Sequence, residues 1–244
     1  MIYDIAGLRI NIENRCSYTD NFCKAYLSKD QTSPVDLTTR VTMEEFLAEK
    51  ETSEGFSDGY IENICLYRNI CKQIPTLNRL LLHAAILEYD GNGYAFLGRS
   101  GTGKSTHTQL WLNYLSKTRM INGDKPILQA TDKGFLAYGT PWMGKENLGC
   151  NASIPLKGLC FLEQAPENSI RKLIPSEVSA RLFAQILLPQ DEANAVATLD
   201  LVDRLIMYTP AYLLRCNISE EAVQTSFEEM TGLAYETARK NKGE

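Results

Sequence analysis

The 244-residue sequence predicts an α/β fold: a core with a mixed sheet, a small N-terminal α/β section and C-terminal helices. Three observations predict this class. Short apolar runs separated by turn residues fill most of residues 76–165, and a glycine-rich turn at 98–106 joins one run to a helical segment. The last third holds long runs without Gly or Pro, apolar at helical spacing. The predicted boundaries are a section of unknown role at 1–75 and a second domain at 76–244.

The N-terminal section contains three predicted elements. Loose alternation over residues 5–12 predicts a strand, with Gly7 as a bulge. Thr42 and Glu45 have the spacing of a capping box, which predicts the start of a short helix. The apolar, aromatic-rich run 60–70 predicts another strand. None of these elements carries a recognisable active-site motif.

The core is predicted from strand and turn signals. Residues 83–89 and 94–97 read as two strands, and the turn Asp90-Gly91-Asn92-Gly93 between them predicts a hairpin. Residues 119–124 predict a short strand that ends in a carboxylate, and further short strands continue through 156–162.

The last third is predicted to be mostly helical. Helices are expected at 176–187, at 193–208 and at 220–230, the last capped by Ser219. A strand is expected at 212–216.

The glycine-rich turn fits the pattern G-x-x-x-x-G-K-[ST] and lies between a predicted strand and a predicted helix. Its glycines allow backbone N–H groups to approach phosphate oxygens. Lys104 can reach the β- and γ-phosphates, and the Ser105 hydroxyl can bind Mg²⁺. The predicted nucleotide-binding residues are Gly98, Arg99, Ser100, Gly101, Thr102, Gly103, Lys104, Ser105 and Thr106.

Asp124 is the candidate for the second group that such a loop needs, a carboxylate that holds or orients Mg²⁺. It ends the first short apolar run after the helix that follows the loop. The other interpretation is a turn-initiating Asp before Lys125-Pro126.

These segments resemble a known family. The run beginning at His83, the hairpin, the loop from Gly98 to Ser105 and Ile121-Asn-Gly-Asp124 are similar to the catalytic domain of HPr serine kinase/phosphorylase. That family shares its nucleotide fold with ATP-dependent phosphoenolpyruvate carboxykinases. The resemblance covers roughly residues 76–165 and implies an HPr-kinase-like P-loop core with ATP and Mg²⁺ as cofactors.

The resemblance also implies roles for single residues. Lys104 and Ser105 take the phosphate and Mg²⁺ roles, and Asp124 falls on the second acid of the family's Asp-Asp pair. The first acid, which serves as the base toward the acceptor hydroxyl, falls on Gly123. Either Asp124 does both jobs, Glu146 supplies one of them, or phosphoryl transfer is impaired.

Two further residues have two interpretations each. His83 falls on the family's histidine near the phosphates, and it also fits a partly buried histidine on a strand. Lys145 can neutralise charge on a transferring phosphoryl group, or it can belong to a solvated loop.

The sequence thus predicts an ATP-dependent kinase that transfers the γ-phosphoryl of Mg-ATP to a hydroxyl of a peptide, protein or small molecule. Its catalytic residues would be Lys104, Asp124 and His83. The alternative is a non-catalytic ATP-binding sensor or regulatory module. A carboxykinase-like decarboxylase ranks last, because the chain is short and shows no second metal-binding set of histidine and lysine.

Composition narrows the partners and the compartment. The net charge of −5 argues against a nucleic-acid partner bound through a broad basic surface. No apolar run is long enough for a membrane span, and the N-terminus lacks the regions of a signal peptide. Seven scattered cysteines without a C-x-x-C pair favour reduced thiols. We therefore expect a cytoplasmic protein without a membrane partner, whose oligomeric state is open, a homo-oligomer included.

Overall fold

The computed structural model describes residues 1–240, so residues 241–244 of the predicted second domain lie outside the described part. The strands are β1 Ile2–Ile5, β2 Leu8–Glu13, β3 Leu37–Arg40, β4 Arg79–Leu81, β5 Ala84–Tyr89, β6 Asn92–Leu97, β7 Thr118–Asn122, β8 Ile127–Thr131, β9 Gly134–Tyr138, β10 Ser153–Gln164, β11 Ser169–Lys172 and β12 Ala211–Cys216. The helices are α1 Ser17–Phe22, α2 Met43–Thr52, α3 Asp58–Gln73, α4 Lys104–Tyr114, α5 Pro175–Leu182, α6 Glu192–Tyr208 and α7 Glu220–Thr231. Short 3₁₀ turns occupy Lys24–Tyr26, Pro75–Leu77, Phe183–Gln185 and Tyr235–Thr237.

Two predictions in the N-terminal section were wrong. The expected strand over 5–12 is a hairpin, because Ala6 and Gly7 both have left-handed backbone angles (φ 53° and 69°) and turn β1 back onto β2. The expected strand at 60–70 lies inside helix α3, whose Ser57 cap accepts a hydrogen bond from the backbone of Tyr60 at 3.3 Å. The apolar side chains of this run are buried at helical spacing, which outweighs its aromatic content.

Other predictions of local structure were confirmed. The capping box is present, with Thr42 Oγ1 accepting from the Glu45 backbone at 3.1 Å and Glu45 Oε2 accepting from the Thr42 backbone at 2.8 Å. The β5–β6 hairpin turns at Asp90 and Gly91, which have φ of 47° and 81°. Ser219 caps α7 by accepting from the Ala222 backbone at 3.2 Å. Strand β11 was not predicted.

The main sheet is mixed, and its strand order determines which strand ends lie side by side. One arm runs β11–β12–β10–β6–β5–β7, and a second arm runs β4–β8–β9 and joins through the long strand β10. Strands β6 and β12 are parallel to β10, whereas β5 is antiparallel to both β6 and β7. Therefore β6, β7, β10 and β12 end at the same edge where β5 begins.

Hydrophobic cores form on both faces of this sheet. Leu97 of β6 packs in the core that includes Leu182 and Leu205 of helices α5 and α6. Phe96, the neighbouring residue on β6, packs on the other face with Trp111 of α4 and Phe227 of α7. This alternation is the two-residue period of a strand covered on both faces.

A third core joins the N-terminal section to the main sheet. It contains residues of the three-stranded sheet β1–β2–β3 and of α3 together with Leu81, Ile127 and Trp142. No helix within residues 1–240 combines the length and apolar character needed to cross a bilayer.

His107 of α4 lies fully inside the core on the α4–α7 face. Its Nε2 is 3.0 Å from Ser226 Oγ, and the Trp111 indole N–H donates to the same oxygen at 2.9 Å. Burial lowers the pKa of His107 to about 3. The folded protein therefore keeps this imidazole neutral at pH values where an exposed histidine is charged.

This burial predicts an acid-sensitive contribution to stability. Between about pH 6.5 and about pH 3, His107 binds a proton in the unfolded state and does not bind one in the folded state. The free energy of unfolding therefore falls as the pH falls, by up to about 1.4 kcal/mol per pH unit. His107→Gln should have a shallower slope in this window, measured by urea unfolding at several pH values. Equal slopes for the two proteins would contradict this account.

Candidate functional site

The glycine-rich turn after β6 forms a loop that leads directly into α4. A Cβ at Gly98 would lie 2.5 Å from Thr102 Oγ1, so a side chain there would collide with the folded loop. Gly103 precedes the helix with φ of 101°, a conformation that other residues rarely adopt. It offers no side-chain cap, so the first backbone N–H groups of α4 are open to an anion.

Lys104 lies over this loop rather than extending into solvent. Its Nζ donates to the carbonyl oxygen of Gly98 at 2.7 Å and to that of Arg99 at 3.4 Å. Burial lowers the pKa of Lys104, the negative charge of Asp124 opposes this effect, and Lys125 adds to it. The Lys104 ammonium is therefore within electrostatic range of Asp124 and Lys125.

The remaining predicted loop residues are accessible. Arg99, Ser100, Gly101, Ser105 and Thr106 are exposed, and Thr102 is half-buried. Ser105 lies in the first turn of α4. Gln164 at the end of β10 supports the loop by donating from Nε2 to the Gly101 carbonyl at 3.0 Å.

His83 and Asp124 meet beside the loop. His83 immediately precedes β5, Asp124 follows β7 by two residues, and His83 Nε2 donates to Asp124 Oδ1 at 3.0 Å. Lys125 Nζ lies 3.6 Å from the same oxygen. Burial acts to raise the pKa of Asp124, but the His83 hydrogen bond and the charge of Lys125 outweigh it and hold that pKa below its ordinary value. Asp124 is therefore an ionised carboxylate at neutral pH.

Asn122 fixes the position of Asp124, and sequence reasoning missed it. Its fully buried side chain accepts through Oδ1 from the backbone N–H of Asp124 at 2.9 Å and of Lys125 at 2.7 Å. Its Nδ2 donates to Thr140 Oγ1 and to the Thr140 carbonyl, both at 3.1 Å. This Asx turn leaves no freedom in the segment that carries the carboxylate. The only signal was an Asn two residues before the Asp.

Position 123 has no room for the acid that the resemblance assigns there. A Cβ added to Gly123 would lie 2.6 Å from the carbonyl oxygen of Met143, a backbone atom of the loop after Trp142. Gly144 of that loop also approaches Asp124, since its Cβ would lie 3.0 Å from the Asp124 Cβ. The loop of residues 142–149 therefore covers the position where a second carboxylate would stand.

Glu146 and Lys145 belong to this covering loop, and both are exposed. Glu146 Oε2 lies 3.7 Å from a Cβ built on Gly144, on the side of that residue that also meets Asp124. The structure thus brings Glu146 toward the Asp124 region.

The N-terminal section anchors one end of the covering loop. Trp142 is buried with its ring centroid 5.0 Å from that of Tyr67 on α3 and 6.4 Å from that of Phe22 on α1. Burial raises the pKa of Tyr67, and the Cys71 thiol and the Asp124 carboxylate raise it further. Tyr67 and Phe22, which hold Trp142 in place, belong to no motif that the sequence showed.

The site offers two oxygen donors of the kind that Mg²⁺ binds. No group of three or more His, Cys, Asp and Glu residues with metal-ligand geometry occurs within residues 1–240. Mg²⁺ is commonly held by one or two protein oxygens together with substrate phosphates. The Ser105 hydroxyl and the ionised Asp124 carboxylate are oxygen ligands of that kind.

Comparisons with known proteins give little further information. No family model and no curated protein matches the chain. Among solved structures, the chain is similar to the Hpr(Ser) kinase/phosphatase from Coxiella burnetii, at 14% identity and a TM-score of 0.27, covering 52% of this chain and 88% of that one. This likeness is distant, and no activity of this chain follows from it.

Removing the Asn122 side chain should loosen Asp124. Asn122→Ala leaves the backbone N–H groups of residues 124 and 125 without their acceptor and removes the donor to the Thr140 carbonyl, so we expect a loss of about 2–3 kcal/mol in the free energy of unfolding. Asn113→Ala, on an exposed turn of α4, is the control. An Asn122→Ala protein as stable as that control would contradict the role given to the Asx turn.

A side chain at position 123 should destabilise the protein. Gly123→Ala places a methyl group against the Met143 carbonyl, with an expected cost of about 1–3 kcal/mol for an overpacked site. Gly158→Ala is the matched control, because its new methyl group would meet the movable end of the Met230 side chain at 3.2 Å. Thermal unfolding of the two variants tests this, and equal stability would show that the covering loop yields easily.

Proposed function

We propose that this protein is an ATP-dependent kinase that transfers the γ-phosphoryl group of Mg-ATP to a hydroxyl of a peptide, protein or small molecule. One observation carries the proposal. The loop that begins at Gly98 and carries Lys104, and the His83–Asp124 pair, come from the ends of three neighbouring strands and meet at one edge of the sheet. This arrangement supports a phosphate site on the loop and an acceptor site beside His83 and Asp124.

Each residue has a role that follows from its position. Backbone N–H groups at the start of α4 and the Lys104 ammonium bind the phosphates and stabilise the charge that develops on the γ-phosphoryl group. Ser105 and Asp124 would hold Mg²⁺, which when bound neutralises phosphate charge and aligns the phosphoryl group.

The transfer step needs a group to receive a proton. The acceptor oxygen forms a bond to the γ-phosphorus while the bond from that phosphorus to the β–γ bridging oxygen breaks, and ADP leaves. Because its pKa is lowered, Asp124 is a weak base on its own, and it is better suited to orient His83 and to hold metal. The hydroxyl proton would pass to Nδ1 of His83, because Nε2 already carries the proton that it donates to Asp124.

A second candidate function is a nucleotide-binding sensor without transfer activity. The observation that favours it is the backbone contact at Gly123, which leaves no space for the first acid of the Asp-Asp pair in the family that the sequence resembles. Purified protein that binds Mg-ATP but transfers no phosphate to a panel of peptide, protein and small-molecule hydroxyls would support the sensor over the kinase.

Lys104→Ala tests the kinase directly. Loss of the ammonium should lower phosphoryl transfer from labelled ATP by about 10²–10³-fold, the effect of removing one group that stabilises transition-state charge. Lys133→Ala, in the exposed turn between β8 and β9, removes the same charge elsewhere and should retain the wild-type rate. Transfer by Lys104→Ala at the original rate would exclude the proposed mechanism.

A further inference from the structure

A cleft of about 620 Å³ opens on the side of the phosphate loop away from Asp124. The loop residues Gly101, Thr102 and Thr106 form one wall, and the segments after β10 and β12 form the other. In the sheet, β10 and β12 lie on one side of β6, whereas β5 and β7, which carry His83 and Asp124 at their ends, lie on the other. The loop therefore has two different flanks, one with the cleft and one with His83 and Asp124.

The chemistry of the cleft favours an uncharged group. No Asp, Glu, Lys or Arg side chain is among its lining residues, and its histidine, His107, is kept neutral by burial. Apolar surface comes from Leu110 of α4, from Ala165 after β10 and from Ile218, which is 77% exposed at the rim. A cleft of this volume and apolar character is typical of small-molecule sites.

One polar side chain connects the cleft to the loop. Gln164 lines the cleft and donates from Nε2 to the Gly101 carbonyl at 3.0 Å, which leaves its Oε1 as an acceptor at the wall. This oxygen can accept a hydrogen bond from an exocyclic amine of a base or from a ribose hydroxyl.

We propose that this cleft is the nucleoside site of the protein. The base and ribose of a nucleoside triphosphate lie between Leu110 and Ile218, and the phosphates run across the loop toward Lys104. The γ-phosphate then reaches the His83–Asp124 flank, where the acceptor enters. This assignment rests on the proposed function for the phosphate loop, and it adds the direction in which the nucleotide lies and the residues that recognise its uncharged part.

The test compares Mg-ATP with Mg-tripolyphosphate, which lacks the nucleoside, by titration calorimetry on the full chain. The wild type should bind Mg-ATP at least about tenfold more tightly, the effect of burying one apolar side chain's worth of surface. Ala165→Phe fills the cleft and should remove that advantage while leaving tripolyphosphate binding unchanged. Ile218→Ala, at the exposed rim where folding is not at risk, should weaken Mg-ATP alone, about threefold or more.

Met207→Ala is the control, because Met207 is an exposed apolar residue of α6 that lines neither flank of the loop. It should bind both ligands as the wild type does. Equal affinity of the wild type for the two ligands, or equal weakening of both by Ala165→Phe and Ile218→Ala, would overturn the nucleoside site while leaving phosphate binding intact. If the wild type binds neither ligand, the proposed function fails and the nucleoside site fails with it.

Discussion

The site depends on the antiparallel placement of β5 between β6 and β7. Because β5 runs opposite to both neighbours, its first residues lie where β6 and β7 end, and the backbone N–H of Ala84 donates to the Asp124 carbonyl at 3.1 Å. A wholly parallel arrangement would need a crossover between each pair of strands and would put the start of β5 at the far edge. The contact between His83 and Asp124 is therefore a consequence of sheet order.

Two lysines share the Asp124 carboxylate as an acidic neighbour. Asp124 faces His83 and Lys125 directly and lies near Lys104. A second acid at position 123 would weaken the positive potential of these two lysines. The Met143 carbonyl at position 123 excludes that acid sterically. Electrostatics and packing thus act in the same direction.

The sequence predicted the features that neighbouring residues specify better than those that depend on packing between distant segments. The glycine-rich turn at 98–106 between a strand and a helix, the capping box at Thr42 and the Asp90-Gly91 hairpin were recognisable because each is specified by neighbouring residues. Helix α3 was misread as a strand, since its aromatic content favours strands and only burial against the N-terminal sheet selects the helix. The role of Asn122 depends on Thr140, a partner 18 residues away, and no local sequence pattern indicates such a hydrogen bond.

The same limit applies to the N-terminal section, which carries no motif yet reaches the site. Trp142 is held by Tyr67 and Phe22, and the residues that follow it cover Gly123 and contact Asp124. A displacement of α3 would therefore move the covering loop, because the Trp142 ring is packed on both helices and cannot shift independently of them. The N-terminal section thus influences the position of the loop beside Asp124 through the packing of Trp142.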